Sequence, residues 1–387
     1  MKRGLQEALI SLITVAVAFA IGGLAVLIAG SDPIEVYKSM WLGAGFDWPF
    51  YYLPGNPFGV DLLFAEFNLQ QTLINFTPLV LAGLAVAFAF RCGLFNIGGQ
   101  GQYWVGAVCG LEIALRVDGV FGLVLATIGA AAGGAVWGGI AGVLKAVRGA
   151  HEVVTTIMLT WIAIYGTQYL YQVGGPFADE AAGQPISLTL PEGGGYRTIW
   201  GDLQALHIGI FIALGCVVLF WVLLNRTTLG YEVRAVGFNP EGARYGGVSV
   251  KRAIALSLAI SGAFAGLAGA SDVLGVQYVI AGTEIPASTV GFTGIAVALL
   301  GRNSAVGVVL AALLFASLDS GARNIAGDFP SELARSLGTI IQGTIILVVG
   351  GEALVRWLLR RRRASERETP PAELPPPAPA IAAETPA

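Results

Sequence analysis

The chain has 387 residues, of which 55% are hydrophobic and only 12% charged, with a formal net charge of −3. Soluble domains carry about a quarter charged residues, and a single core stops growing at roughly 250–300 residues. This composition therefore excludes an ordinary soluble globule and points to many membrane spans. Three cysteines, Cys92, Cys109 and Cys216, lie far apart within apolar runs. That spacing fits small buried hydrophobes and excludes a disulfide framework or a zinc site.

A membrane-crossing helix needs about 20 mostly apolar residues. On that criterion about ten transmembrane helices are predicted, near residues 8–30, 70–90, 97–115, 120–145, 153–172, 207–225, 253–274, 288–300, 304–320 and 338–357. The fold class is all-α integral membrane, because only helices and closed barrels satisfy their backbone within lipid. The first run is too long for a signal-peptide core and lacks a clean small-residue cleavage site, so it reads as an uncleaved N-terminal span over 1–30. The third and eighth spans stand out. One carries Asn96, Gln100 and Gln102, and the other is short and rich in glycine.

The segment 31–69 is aromatic-rich, with Trp41, Trp48, Tyr51 and Tyr52, and is expected at the outer interface. The main transmembrane block runs over 70–360, with a polar loop at 226–252. Residues 361–387 are rich in Pro, Ala and Glu and are expected to be disordered. Lys2, Arg3, Arg91, Lys145, Arg148, Arg226, Arg234, Arg244, Lys251, Arg252, Arg302 and the run Arg360–Arg363 fall on one side of a single alternation. That side is cytoplasmic by the positive-inside rule, and both termini lie on it. Spans two to five and seven to ten form two four-helix blocks offset by an odd number of spans. Topology alone then makes them possible inverted repeats, a common transporter plan.

Polar groups within spans are costly and turn toward a cavity or another helix. Phe95, Asn96, Gln100, Glu152, Thr155, Phe292 and Thr293 are the candidates for a substrate pathway, with Gln102, Thr156, Asp272 and Gln277 as further polar positions. The competing reading is hydrogen bonding between helices, and Glu152 can instead pair with Lys145 or Arg148. In the polar loop, Asn239 suits a helix N-cap, Pro240 the first helical position and Glu241 the first turn, while Gly246 and Gly247 can end the helix. A helix this short needs a surface to dock on.

Four stretches carry a resemblance: the loop from Gly230 to Gly247, Gly93-Leu94-Phe95-Asn96-Ile97-Gly98-Gly99-Gln100-Gly101-Gln102, the run His151 to Leu159, and Gly291 to Asn303. In order and spacing over roughly 70–350 the chain resembles permease subunits of the branched-chain amino acid, ribose and nucleoside ABC importers, and is closest to nucleoside and simple-sugar permeases. The resemblance implies an ATP-driven importer of nucleosides, with simple sugars or branched-chain amino acids as alternatives. It assigns Asn239, Glu241, Ala243, Arg244, Tyr245 and Gly247 to coupling with an ATPase. It implies as partners an ATP-binding subunit with two nucleotide-binding domains, a second and non-identical permease subunit, and an extracellular substrate-binding lipoprotein in a bacterial inner membrane. The sequence has no G-x-x-x-x-G-K-[ST] loop, so the subunit is expected to be no enzyme, to bind no cofactor, and to leave ATP and Mg to the partner. No nucleic acid is expected as a partner. An ion-coupled secondary transporter is the alternative of another class, and it would need no docking helix. An intramembrane serine protease is disfavoured because both histidines, His151 and His207, precede Ser271. A potassium channel is disfavoured because Thr293 stands where a filter glycine is needed.

Overall fold

The computed structural model describes residues 2–28, 30–200, 206–323 and 336–348. The expected tail 361–387 and the later half of the last expected span lie outside these residues. Thirteen helices are described: α1 Lys2–Ile28, α2 Pro33–Gly43, α3 Leu62–Arg91, α4 Gly99–Ala114, α5 Gly119–Arg148, α6 Glu152–Tyr171, α7 Gly209–Arg226, α8 Thr228–Phe238, α9 Pro240–Tyr245, α10 Val250–Asp272, α11 Val290–Leu300, α12 Ala305–Arg323 and α13 Ser336–Val348. A short antiparallel pair, β1 Thr198–Trp200 and β2 Leu206–His207, lies in the outer loop, with Thr198 opposite His207.

Seven helices are long and apolar enough to cross a bilayer: α1, α3, α5, α6, α7, the α10 segment through Gln277, and α12. The other three expected spans are shorter. At a rise of about 1.5 Å per residue, the 11-residue α11 covers only about 16 Å of a hydrocarbon layer near 30 Å thick. The 16-residue α4 covers about 24 Å. Each of these two follows a stretch of non-helical chain, 92–98 before α4 and 278–289 before α11. The second span also begins earlier than its hydropathy suggests. Asp61 caps it by accepting from Leu63 N and Phe64 N, so the helix runs from Leu62 through the polar stretch Glu66–Gln71 instead of starting near 70. The preceding aromatic segment is folded: Asp32 caps α2, Trp48–Tyr52 form a 3₁₀ turn, and Trp48 meets Trp200 of the outer loop edge-on at 5.2 Å.

Lipid tails are as apolar as leucine, so helices within a bilayer associate through close packing and polar contacts. Here the closeness comes from glycine. On α10, Gly262 lies against Gly134 of α5, and Gly266 lies between Ala130 and Gly134 of α5 on one side and Gly106 of α4 on the other. A Cβ placed at Gly262 would come within 2.1 Å of the Gly134 carbonyl oxygen, and one at Gly106 within 2.3 Å of the Gly266 Cα. Three backbones therefore touch directly. In the other half, α3 packs against α11 and α12 in the corresponding way, with Gly83 against Val297 and Val308, and Gly294 against Ala82. Exchanging α3, α4 and α5 for α10, α11 and α12 carries the α5–α10, α4–α5 and α4–α10 contacts onto α12–α3, α11–α12 and α11–α3, in keeping with an inverted repeat. The first helix of each block is central. In its most apolar stretch α3 is 83% buried, and α10 and α12 are 61% each, against 22% for α5. Pro78 within α3 is accommodated by this enclosure.

Overpacking a close helix contact costs about 1–3 kcal/mol or more. Gly262→Val is expected to abolish accumulation of folded subunit or to lower its unfolding temperature strongly. Gly139→Ala, whose new Cβ would sit 3.6 Å from the Ala259 Cβ, is expected to leave it unchanged. Thermal unfolding of the purified subunit in detergent compares the two.

Candidate functional site

Within lipid, a helix that starts mid-membrane exposes backbone N–H groups that no water can take. Polar side chains resolve this where α3 ends and α4 begins. Asn96 is fully buried. Its Oδ1 accepts from Gly98 N at 2.9 Å and from Gln102 Nε2 at 3.2 Å. Its Nδ2 donates to Gln102 Oε1 and to Ser261 Oγ on α10, both at 2.8 Å. Ser261 in turn donates to the Ala85 carbonyl of α3. One asparagine thus ties α3, α4 and α10 together.

Gln100, also fully buried, does the same for the second break. Its Oε1 accepts from Gly291 N at 2.6 Å at the start of α11, and its Nε2 donates to Ser288 Oγ at 3.4 Å. The backbones of Gly99 and Gln100 lie against Gly291, while Gly98 abuts Thr156 of α6. The N-termini of α4 and α11 therefore meet inside the helix bundle. Both are positive helix-dipole ends, the kind of locus where broken-helix transporters gather polar substrate groups.

Around this junction stand most of the expected pathway residues. Phe95 is half-buried, with its ring edge-on to Phe90 at 4.9 Å. Phe292 is 38% exposed, and Thr293 half-buried beside it. Glu152 lies elsewhere, at the inner start of α6, where its carboxylate pairs with Lys145 at 2.8 Å. Thr155 sits one turn on, and its hydroxyl donates to the backbone carbonyls of Glu152 and His151. On the outer side of the junction, Tyr103 donates to Asp272, and Gln277 Oε1 is buried without a partner. The Tyr103–Asp272 pair was not legible from sequence, since 169 residues separate its members and no local pattern links them. His207 is buried in the outer loop, where burial pushes its imidazole down to about 4, so it is neutral at physiological pH.

At the inner face, Thr227 accepts from Gly230 N and starts α8, a helix absent from the sequence-based expectation. Asn239 then ends α8 and caps α9, accepting from Glu241 N at 3.0 Å and Gly242 N at 3.1 Å. Gly237 seats this hairpin under the inner end of α3, against the Arg91 carbonyl. Ala243 points inward and is buried, while Glu241, Arg244 and Gly247 are exposed. Tyr245 is 95% exposed and Phe238 94%. The hairpin thus presents two bare aromatic rings flanked by charges. Arg91 holds the neighbouring turn, its Nε donating to the Asn303 carbonyl at 2.8 Å. In that turn Arg302 and Asn303 both adopt left-handed backbone.

Residues 68–350 match the family described as branched-chain amino acid transport system, permease component. The chain belongs to this permease family. It is 39% identical to the guanosine ABC transporter permease protein NupP of Bacillus subtilis, over 93% of this chain and 97% of that protein. It is 31% identical to the nucleoside ABC transporter permease protein NupB of Lactococcus lactis, over 94% and 96%. It is 35% identical to the glucose ABC transporter permease protein TsgB13 of Haloferax volcanii, over 87% and 85%. No solved structure matches. The permease is a multi-pass membrane protein, and the family match covers both helix breaks and the α8–α9 hairpin.

Asn96→Ala in this permease would leave Gly98 N, Gln102 and Ser261 each short of a buried partner, at about 1–3 kcal/mol per group. Its expected signature is a lower unfolding temperature and a lower yield of subunit. Phe292→Ala, at a surface ring, is expected to keep the fold and raise the KM of transport. Parallel unfolding and uptake measurements separate the two.

Proposed function

We propose that this chain is the membrane-spanning permease subunit of an ATP-driven importer and that its cargo is nucleosides. The observation that carries the reading is near end-to-end similarity to a guanosine permease protein at 39% identity. A simple-sugar cargo is the second reading, favoured by the 35% identity to a glucose permease protein. In this reading the subunit binds no nucleotide itself. The α8–α9 hairpin docks on an ATPase subunit with two nucleotide-binding domains. A second, non-identical permease completes the pathway, and an extracellular lipoprotein delivers substrate. The complex sits in a bacterial cytoplasmic membrane with both termini of this chain inside, which the basic side chains around α8 and α9 support. Phe95, Asn96, Gln100, Thr155, Phe292 and Thr293 flank or frame the path, and Glu152 is kept in place by Lys145.

Uptake of labelled guanosine, uridine and glucose, in cells with the complete transporter and in cells lacking this subunit, tests the cargo. Subunit-dependent, ATP-dependent nucleoside uptake is the expected result. Glucose uptake alone would move the cargo to sugars, and dependence on an ion gradient without an ATPase would overturn the importer reading. For coupling, truncating a buried aromatic anchor at an interface costs about 2 kcal/mol or more. Tyr245→Ala and Phe238→Ala are therefore expected to weaken ATPase binding by at least roughly tenfold. Uptake should fall with membrane insertion unchanged. Normal ATPase binding by both variants would remove the hairpin from the coupling role.

A further inference from the structure

The outward faces of most spans are what lipid demands. On α1 Leu12, Val17 and Leu24 face outward, on α5 Val124, Ile128 and Val136, and on α7 Leu214, Val218 and Leu219. The outward face of α6 departs from this pattern. Met158, Trp161, Tyr165 and Tyr169 recur at steps of three, four and four, which places them on one strip of the helix, with Ile162 beside it. They are 60%, 49%, 63% and 62% exposed. Gln168, half-buried, and Gln172, exposed, continue the same strip. The opposite face, Thr156, Thr160, Ala163, Thr167 and Tyr171, is buried. Gly101 of α4 lies directly against the Thr160 backbone, so the orientation of α6 is fixed by packing.

Trp and Tyr on lipid-facing surfaces belong to the interfaces. Trp161 is instead the tenth residue of a 20-residue span, about 15 Å from either end. Among the described residues, no hydrogen bond is found for its indole N–H, for the Tyr165 and Tyr169 hydroxyls or for the Gln168 amide. A lipid contact at mid-span would strand the Trp161 indole N–H, whereas Gln168 and Tyr169 lie in the last turn of α6 and reach the interface. The rings of Trp161 and Tyr165 lie 5.9 Å apart and inclined by 27°, nearly stacked. An aromatic platform with amide and hydroxyl groups at its edge is the chemistry that binds a flat heterocycle.

We infer that this strip lines the transport path and that Trp161 and Tyr165 stack a planar heterocyclic base, with Gln168 and Tyr169 hydrogen-bonding its edge or its attached sugar. The inference rests on the nucleoside reading above and adds the residues that discriminate cargo. Trp161 and Tyr165 are specificity-determining residues in this scheme, and the Asn96 and Gln100 junction is the scaffold that sets the helix beside them.

The test uses the complete transporter. Trp161→Leu and Tyr165→Leu are expected to raise the KM for guanosine on the order of tenfold. Trp161→Phe and Tyr165→Phe should restore most of the affinity, and the partner permease should co-purify normally in all four. Tyr165→Cys should raise hydrophilic-maleimide labelling of this subunit above that of the wild-type subunit, whose cysteines are Cys92, Cys109 and Cys216, and guanosine should slow the reaction. Unchanged KM in both Leu variants overturns the inference. So does a Tyr165→Cys that the maleimide cannot reach, and so does loss of the partner permease from the Leu variants, which would make the strip a subunit interface. A wild-type complex that imports glucose and no nucleoside sinks the nucleoside reading, and base stacking with it. That failure appears in the wild type, whereas failure of the strip alone appears only in the variants.

Discussion

A polypeptide can break its helix inside a membrane only if something other than water takes the freed backbone groups. The chain breaks its helices before α4 and before α11, and one amide side chain at each break takes a freed backbone N–H. Asn96 takes Gly98 N and binds Gln102 and Ser261; Gln100 takes Gly291 N. Because these bonds reach from α4 to α10 and α11, they set the spacing of the two halves. The rest of the architecture follows from that spacing. The glycine rows of α5 and α10 bring backbones into contact, α6 is held against α4, and α6 and α11 present aromatic side chains outward.

The residues expected to meet substrate thus divide by physical role. Asn96 and Gln100 are fully buried and hydrogen-bonded, so they carry geometry. Phe292 and the α6 strip are exposed on the fold. Glu152 is engaged by Lys145, the pairing its sequence neighbourhood allows. The same division holds at the inner face. Ala243 and Gly237 seat the α8–α9 hairpin, and Phe238, Glu241, Arg244 and Tyr245 are what it shows to the outside. Motion of that hairpin would pass through Gly237 and the Arg91–Asn303 contact into α3, the most enclosed helix of the bundle.

The spans, the side on which basic residues gather, the capped hairpin helix at Pro240–Tyr245 and the permease family were legible in the chain because they depend on local composition and short-range spacing. Hydropathy reports the solvent of a segment, and Asn-Pro-Glu reports a helix start within four residues. What the chain did not show by itself was the length of α4 and α11 and the early start of α3 at Leu62. It also did not show α8, the Tyr103–Asp272 pair or the outward direction of Trp161 and Tyr165. Each of these depends on which distant backbone lies alongside. A polar residue in an apolar run reads the same whether it lines a path or ties two helices. Only the partner, Ser261 for Asn96 and Gly291 for Gln100, both more than 160 residues away, decides between them.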